Sequence, residues 1–252
     1  MDVKICNVDI KEDICFSVLV LVHDAMELTS DFLHCLYTNT SIPFNLLVLD
    51  NGSSHVTEKF LHEKSLIHNF SLLRSPENLG VTKGRNSLLS FLLERLVSDD
   101  AIIGFLDNDQ LVHRGWLKQY LHIFDDGYDI VGAEAWLMNR VFFPVEKIDT
   151  INRPFHYVGC GGMFIRKNVL DDVGILDPIF SPAYFEDPDI CFRCLEKGYK
   201  IGWNANAKLT HLPHKTLGAS KDNKRGEIFL SSYEKFCLKW SGHSIQLLEQ
   251  KT

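Results

Sequence analysis

No G-x-G-x-x-G follows the first apolar run of this chain, which continues instead as Val22-His-Asp-Ala-Met-Glu. A dinucleotide site needs those glycines for its tight turn and for close approach of backbone to pyrophosphate, so a nicotinamide-dependent dehydrogenase is excluded. Gly80-Val-Thr-Lys-Gly-Arg has the wrong glycine spacing for a P-loop and lacks the Lys-Ser/Thr ending. Long hydrophobic runs are also missing. The longest strongly apolar stretch, Val18 to Val22, is strand length, and the opening residues lack the apolar core of a signal peptide. The expectation is a soluble, cytoplasmic protein without a transmembrane segment, and peripheral attachment to the inner face of a membrane is compatible with it. A net charge of −7 leaves no positive excess for a phosphate backbone, so no nucleic-acid partner is expected. The seven cysteines are odd in number, and no second C-x-x-C joins Cys191 and Cys194. They read as reduced thiols, that pair as core residues rather than zinc ligands.

The 252 residues, 45% hydrophobic and 23% charged, fit one large α/β domain or two small lobes sharing a core. Strand-like and helix-like segments alternate. Phe16–Val22, Asn45–Leu49, Phe70–Leu73 and the run from Ala101 read as strands, and Leu28–Tyr37, His55–Leu66 and Thr82–Val97 as helices. In the last helix Leu88, Leu89, Leu92, Leu93 and Leu96 are spaced to line one face. Such alternation predicts a Rossmann-like, mostly parallel sheet with helices on both faces. Further on, Lys200–Trp203 reads as a strand and Ile228–Trp240 as an amphipathic helix packing on the body.

The chemistry-bearing residues fall at the ends of these segments. Ala101-Ile-Ile-Gly-Phe-Leu-Asp107-Asn108-Asp109 is an apolar run that stops in two aspartates one residue apart. In open α/β sheets ligands bind beyond the carboxyl ends of strands, where two hard carboxylates can share a divalent cation. The second strand ends at Asp50, which suits either a hydrogen bond to a base or ribose or the turn that Asn51-Gly52 favours. The loop from Ser75 to Asn86 brings Asn78, Gly80, Lys83 and Arg85 to a helix start, a place that favours phosphate. Tyr157 to Arg166 reads as a strand entered through Gly161 and Gly162, with a bulge as the structural alternative. Glu186-Asp187-Pro188-Asp189 opens a helix, with Pro188 suited to the first position and Asp187 to the cap. Asp189 and Arg193 have the spacing of an ion pair within that helix.

V-L-V-L-V-H-D, V-L-D-N-G-S, N-L-G-x-x-x-G-R-N, F-L-D-N-D, G-C-G-G-M-F-I-R and F-E-D-P-D-I-C-F-R occur in the order seen in family 2 glycosyltransferases, and from Phe16 to His214 the chain resembles these inverting GT-A enzymes. The resemblance implies a single GT-A domain over residues 1–252. Its nucleotide-sugar half spans about 14–135, its acceptor half about 136–215, and a C-terminal lid and helix 216–252, with Lys215 to Arg225 as the lid. It implies transfer of a sugar from a UDP- or dTDP-sugar to a hydroxyl of a glycan or glycoconjugate, which can be lipid-linked, in polysaccharide synthesis; it leaves the oligomeric state open. Carried over residue by residue, it puts Asp50 on the base with His23 and Asp24 nearby. Asp107, Asn108 and the loop from Asn78 to Arg85 lie about the donor. Mn²⁺ or Mg²⁺ is held by Asp109 first, then Asp107, with His211 as a further ligand or a contact to the diphosphate. Gly161 and Gly162 allow approach of the sugar. Asp187 is the base that takes the acceptor proton, kept ionised by the helix start, and Glu186 holds acceptor hydroxyls.

Overall fold

An apolar run buried on both faces calls for a parallel strand with helices on either side, and Phe16–Val22 lies at the middle of such a sheet. The computed structural model describes residues 3–150, 153–212 and 222–243. The chain forms β1 (Lys4–Asn7), β2 (Phe16–Val22), α1 (Met26–Asn39), β3 (Asn45–Asn51), α2 (His55–His68), β4 (Ser71–Ser75), α3 (Gly80–Leu93) and β5 (Ile102–Asp107). Next come β6 (Gln110–Val112), α4 (Trp116–Asp125), β7 (Ile130–Gly132), β8 (Ala135–Met138), β9 (Pro144–Ile148), β10 (Tyr157–Val158), β11 (Met163–Arg166) and α5 (Lys167–Val173). A single 3-10 turn at Pro178–Phe180 precedes α6 (Glu186–Glu196), β12 (Ile201–Trp203), β13 (Leu209–His211) and α7 (Asp222–Trp240).

The main sheet has the order β1-β4-β3-β2-β5-β11-β7-β12. β4, β3, β2 and β5 run parallel, as does the pair β7 and β12, while β1 and β11 are antiparallel to their neighbours. This is the mostly parallel sheet that the alternation predicts. Alternate residues of β2 and β3 serve opposite faces. Leu19, Leu47 and Leu49 pack with Leu88, Leu89 and Leu92 of α3, whereas Val18, Val20 and Val48 pack with Phe32 and Leu36 of α1 and Leu61 of α2. Each fully buried leucine contributes about 1.5–3 kcal/mol of transfer free energy. Gly104 interrupts the apolar run of β5 because the Phe164 ring of β11 lies where a Cβ would stand.

Several boundaries differ from the sequence reading. The helix expected to reach Val97 ends at Leu93, yet Leu96 remains buried beyond it, which is why its spacing matched the helix face. Tyr157 to Arg166 is two strands rather than one. β10 joins a separate antiparallel sheet in the order β10-β8-β9, β11 joins the main sheet, and Gly162 at φ 91° makes the turn between them. β1 pairs with β4 along the sheet edge, an element the sequence reading did not include. All seven cysteines are free, and Cys191 and Cys194 are fully buried on α6. Among the described residues no helix is long and apolar enough to cross a membrane.

α7 packs on the body as its apolar pattern predicts. Phe236 is fully buried, with its ring against Phe142, Phe180, Phe185 and Phe192, and Trp240 donates its indole N–H to Asp189 at 3.1 Å. Asp189 also accepts from Arg193 at 2.9 Å, so the expected ion pair forms, with Lys239 as a further partner at 2.6 Å. The expected lid from Lys215 to Arg225 lies mostly outside the described residues, and its last residues open α7.

Candidate active site

The apolar side chains of β5 hold it at the centre of the sheet and so bring Asp107 to the carboxyl edge. The Asp107 N–H donates to Gln110 Oε1 at 2.9 Å, turning the chain sharply so that Asp109 is buried beneath it. β6 then pairs with β13, setting His211 opposite Gln110, and the Leu212 N–H donates to the Asp109 carbonyl at 2.9 Å. Asp109 Oδ1 and His211 Nε2 are 3.1 Å apart. One ligand atom from each of Asp107, Asp109 and His211 lies within 4.8 Å of the others. Two hard carboxylates with an imidazole suit Mn²⁺ or Mg²⁺ and leave other positions open. The His211 pKa is raised, first by its hydrogen bond to Asp109 and against the effect of burial.

A Cβ on Gly161 would lie 2.5 Å from Asp107 Oδ2, and one on Gly162 would lie 2.7 Å from Ala133 Cβ. These glycines make room for the Asp107 carboxylate and for the β10–β11 turn rather than for the approaching sugar that the resemblance implies. A polar cleft of about 140 Å³ opens beside His211, between Gln110, Glu134, Lys147 and Asn204.

The second carboxylate pair starts α6. Tyr184 and Phe185 both have φ near 70°, and Phe185 occupies the cap position. Two consecutive left-handed side chains cost about 1–2 kcal/mol each. Phe185 is held by ring contacts with Phe229, Tyr233 and Phe236, and Ser232 Oγ donates to the Ala183 carbonyl at 2.8 Å. The helix therefore begins before the position expected, so Asp187 lies within its first turn and is not the cap. Nor does the helix start keep Asp187 ionised as expected. Burial first, then the charge of Glu186, push its pKa up to about 8 against backbone hydrogen bonds from Asp187 and Cys160. Glu186 is buried, its pKa is also raised by burial, and its Oε2 has no hydrogen-bond partner.

Arg85 joins the two pairs. It donates to Asp107 Oδ1 at 2.8 Å, lies 3.6 Å from Glu186 Oε1 and stacks on Phe105 at 5.2 Å. Burial acts to lower its pKa, yet the value is raised, chiefly by Asp107. Local sequence sets this guanidinium at a helix start that favours phosphate. It is buried, because the side chain extends inward from α3. The helix start itself is occupied. The Gly80 N–H donates to Asn78 Oδ1, and the Val81 and Thr82 N–H groups donate to the Pro182 carbonyl. A Cβ on Gly80 would meet Pro182 at 2.6 Å, so this glycine closes the α3 start against the α6 loop. Lys83 remains partly exposed near that end.

At the other end of the edge, Asp50 is buried. It pairs with Arg74 and accepts the Ser53 N–H at 2.9 Å. Arg74 went unread in the sequence because only the register of β3 with β4 sets it opposite Asp50. A groove of about 340 Å³ borders this pair between β1 and α2. The His23 ring bonds the Asn51 carbonyl at 3.0 Å. Asp24 accepts from the Ser54 N–H and Thr57 Oγ1, capping α2, and its pKa is lowered first by the Ser54 backbone bond. Asn108 turns to Thr29 Oγ1 of α1 at 2.9 Å, away from the aspartates flanking it. Trp136 also went unread. A Cβ on Gly159 would lie 3.7 Å from Trp136 Nε1 and 3.9 Å from Asp187 Oδ2, so the indole and the carboxylate face the same backbone turn.

Residues 17–174 match the model of glycosyl transferase family 2. The chain belongs to that family. Among relatives, this family 2 chain is 26% identical over 172 residues to glycosyltransferase AglE of Haloferax volcanii, covering 63% of this chain and 54% of that one. It is 24% identical over 189 residues to the pre-mycofactocin glycosyltransferase of Mycobacterium tuberculosis, covering 68% and 38%. The chain thus spans about half or less of these curated relatives. Among solved structures, the mannosyltransferase PcManGT of Pyrobaculum calidifontis, in complex with GDP-Man and Mn²⁺, superposes with a TM-score of 0.64 at 14% identity, over 88% of this chain and 64% of that one. GalNAc-T7 with UDP, GalNAc and Mn²⁺ gives 0.64 at 14%, over 80% and 44%. At this identity the likeness is one of fold, and the family 2 fold here is GT-A.

Proposed function

We propose that this family 2 chain is an inverting, divalent-metal-dependent glycosyltransferase that moves a sugar from a UDP- or dTDP-sugar to a hydroxyl of a glycan or glycoconjugate, in polysaccharide or glycoconjugate synthesis. The observation that carries the reading is the pairing of Asp107, Asp109 and His211 on one side of Arg85 with Glu186 and Asp187 on the other. Mn²⁺ or Mg²⁺ at Asp109, Asp107 and His211 would neutralise charge on the leaving nucleoside diphosphate. Asp50, fixed by Arg74, reads the base. Glu186 orients the acceptor hydroxyl, and Asp187 takes its proton as the new bond forms on the face opposite the leaving group, which inverts the anomeric centre. A carboxyl with a pKa near 8 keeps much of its proton at neutral pH, but as a carboxylate it is a stronger base than an ordinary aspartate.

The test is calorimetric titration with UDP, dTDP and GDP, each with Mn²⁺ and with chelator, followed by turnover of the matching donor sugars. Metal-dependent binding of one nucleotide with turnover supports the proposal. Binding without turnover would leave a catalytically silent nucleotide-sugar module.

A further inference from the structure

Arg85 makes two unequal contacts. Its 2.8 Å bond to Asp107 Oδ1 is a charge-assisted hydrogen bond, whereas the 3.6 Å separation from Glu186 Oε1 exceeds hydrogen-bond length. Glu186 is only 5% exposed, and its Oε2 has no partner. Backbone N–H groups of Glu186 and Tyr184 act on the carboxyl, but a buried oxygen left without a donor is costly, and the guanidinium fork beside it can supply one. Asp107, in contrast, is sought by two cations, the guanidinium and the divalent ion that its neighbours Asp109 and His211 are placed to share. A cation that takes charge from Asp107 weakens its hold on Arg85. The side chain then needs only a short swing, guided by the Phe105 ring beneath it, to reach Glu186.

We propose that Arg85 is a positioning residue that a divalent cation at Asp107 and Asp109 releases toward Glu186, so that the acceptor-side carboxylate is fixed once the donor side is loaded. This rests on the metal-dependent reading above. Linkage is reciprocal, so Glu186 must in turn assist the cation by drawing Arg85 off Asp107. The effect runs through a residue that is not itself a metal ligand, and that makes it separable from coordination.

The experiment is Mn²⁺ titration without nucleotide, by electron paramagnetic resonance or calorimetry, on the whole chain and on Glu186→Gln, Asp187→Asn and Arg85→Gln. Glu186→Gln should bind Mn²⁺ more weakly by on the order of tenfold, because Arg85 stays on Asp107. Asp187→Asn removes a neighbouring carboxylate that acts on Arg85 only through its charge at longer range, without a close ion pair, and should weaken binding less than Glu186→Gln does. Arg85→Gln should bind Mn²⁺ more tightly; weaker binding would mean that Arg85 merely holds Asp107 in place, and would overturn the proposal. Unchanged affinity in Glu186→Gln, or equal weakening in the two acidic variants, would also overturn it. If Arg85→Gln does not fold, the comparison of Glu186→Gln with Asp187→Asn decides alone. Failure of the parent chain to bind Mn²⁺ would overturn the metal-dependent reading itself, an outcome distinct from the others.

Discussion

Asp109 Oδ1 and His211 Nε2 meet at 3.1 Å because β6 and β13 pair antiparallel across opposite halves of the chain, with His211 in register with Gln110. Asp109→Asn should abolish metal-dependent nucleotide binding, and His211→Ala should weaken it by roughly tenfold to a hundredfold. Calorimetry with and without chelator measures both. Undiminished metal-dependent binding by Asp109→Asn would refute the ligand assignment.

Asp187→Asn should leave nucleotide binding intact and lower transfer by roughly a hundredfold or more. Single-turnover rates beside binding isotherms separate the two effects. Transfer at the parent rate would remove Asp187 from the base role.

The raised pKa of Asp187 gives two pH effects of known sign. Only the carboxylate accepts a proton, so kcat/KM for the parent chain should rise as pH increases through about 8, and the residual activity of Asp187→Asn should lack that limb. For stability the direction is opposite. A pKa raised from 3.8 to about 8 on folding stabilises the fold fully at acid pH, and that contribution is lost as pH rises through about 8. Asp187→Asn should therefore gain Tm relative to the parent progressively from about pH 4 to about pH 8, and the difference should level off above that.

Gly161→Ala would put a Cβ 2.5 Å from Asp107 Oδ2. The carboxylate must move, so metal-dependent nucleotide binding should fall while circular dichroism stays that of the parent. A variant that binds the metal normally would show that Asp107 has freedom the packing does not suggest.

Phe236 lies fully buried among Phe142, Phe180, Phe185 and Phe192, and Phe185 begins the helix that carries Glu186 and Asp187. Phe236→Ala should cost about 3–5 kcal/mol in urea unfolding. Transfer should fall further than nucleotide binding, since the loop behind Asp187 loses its support.

Much of this molecule is legible in its residue order. The buried runs of β2, β3 and β5, and the leucines of α3, announce a parallel sheet with helices on both faces, because burial on both sides leaves no polar alternation. Asp107, Asp109 and Asp50 are legible as strand ends, since an apolar run that breaks into aspartates has to leave the core there. The Asp189–Arg193 pair follows from helical spacing alone.

The fates of Arg85, Gly80, Asp187 and Arg74 are a different matter. Local sequence places Arg85 and Gly80 at a helix start that favours phosphate, but the Pro182 carbonyl closes that start and Arg85 turns inward to Asp107 and Glu186. Local sequence makes Asp187 a cap kept ionised, but aromatic packing around Phe185 shifts the helix start, and burial beside Glu186 raises its pKa. Periodicity and strand-end chemistry act over a few neighbouring residues, so the order of residues by itself determined the sheet and the carboxylates at its edge. Charge pairing, desolvation and register act between segments remote along the chain. Only the tertiary structure could therefore decide that Arg74 faces Asp50, that His211 meets Asp109 and that one buried arginine joins both carboxylate pairs.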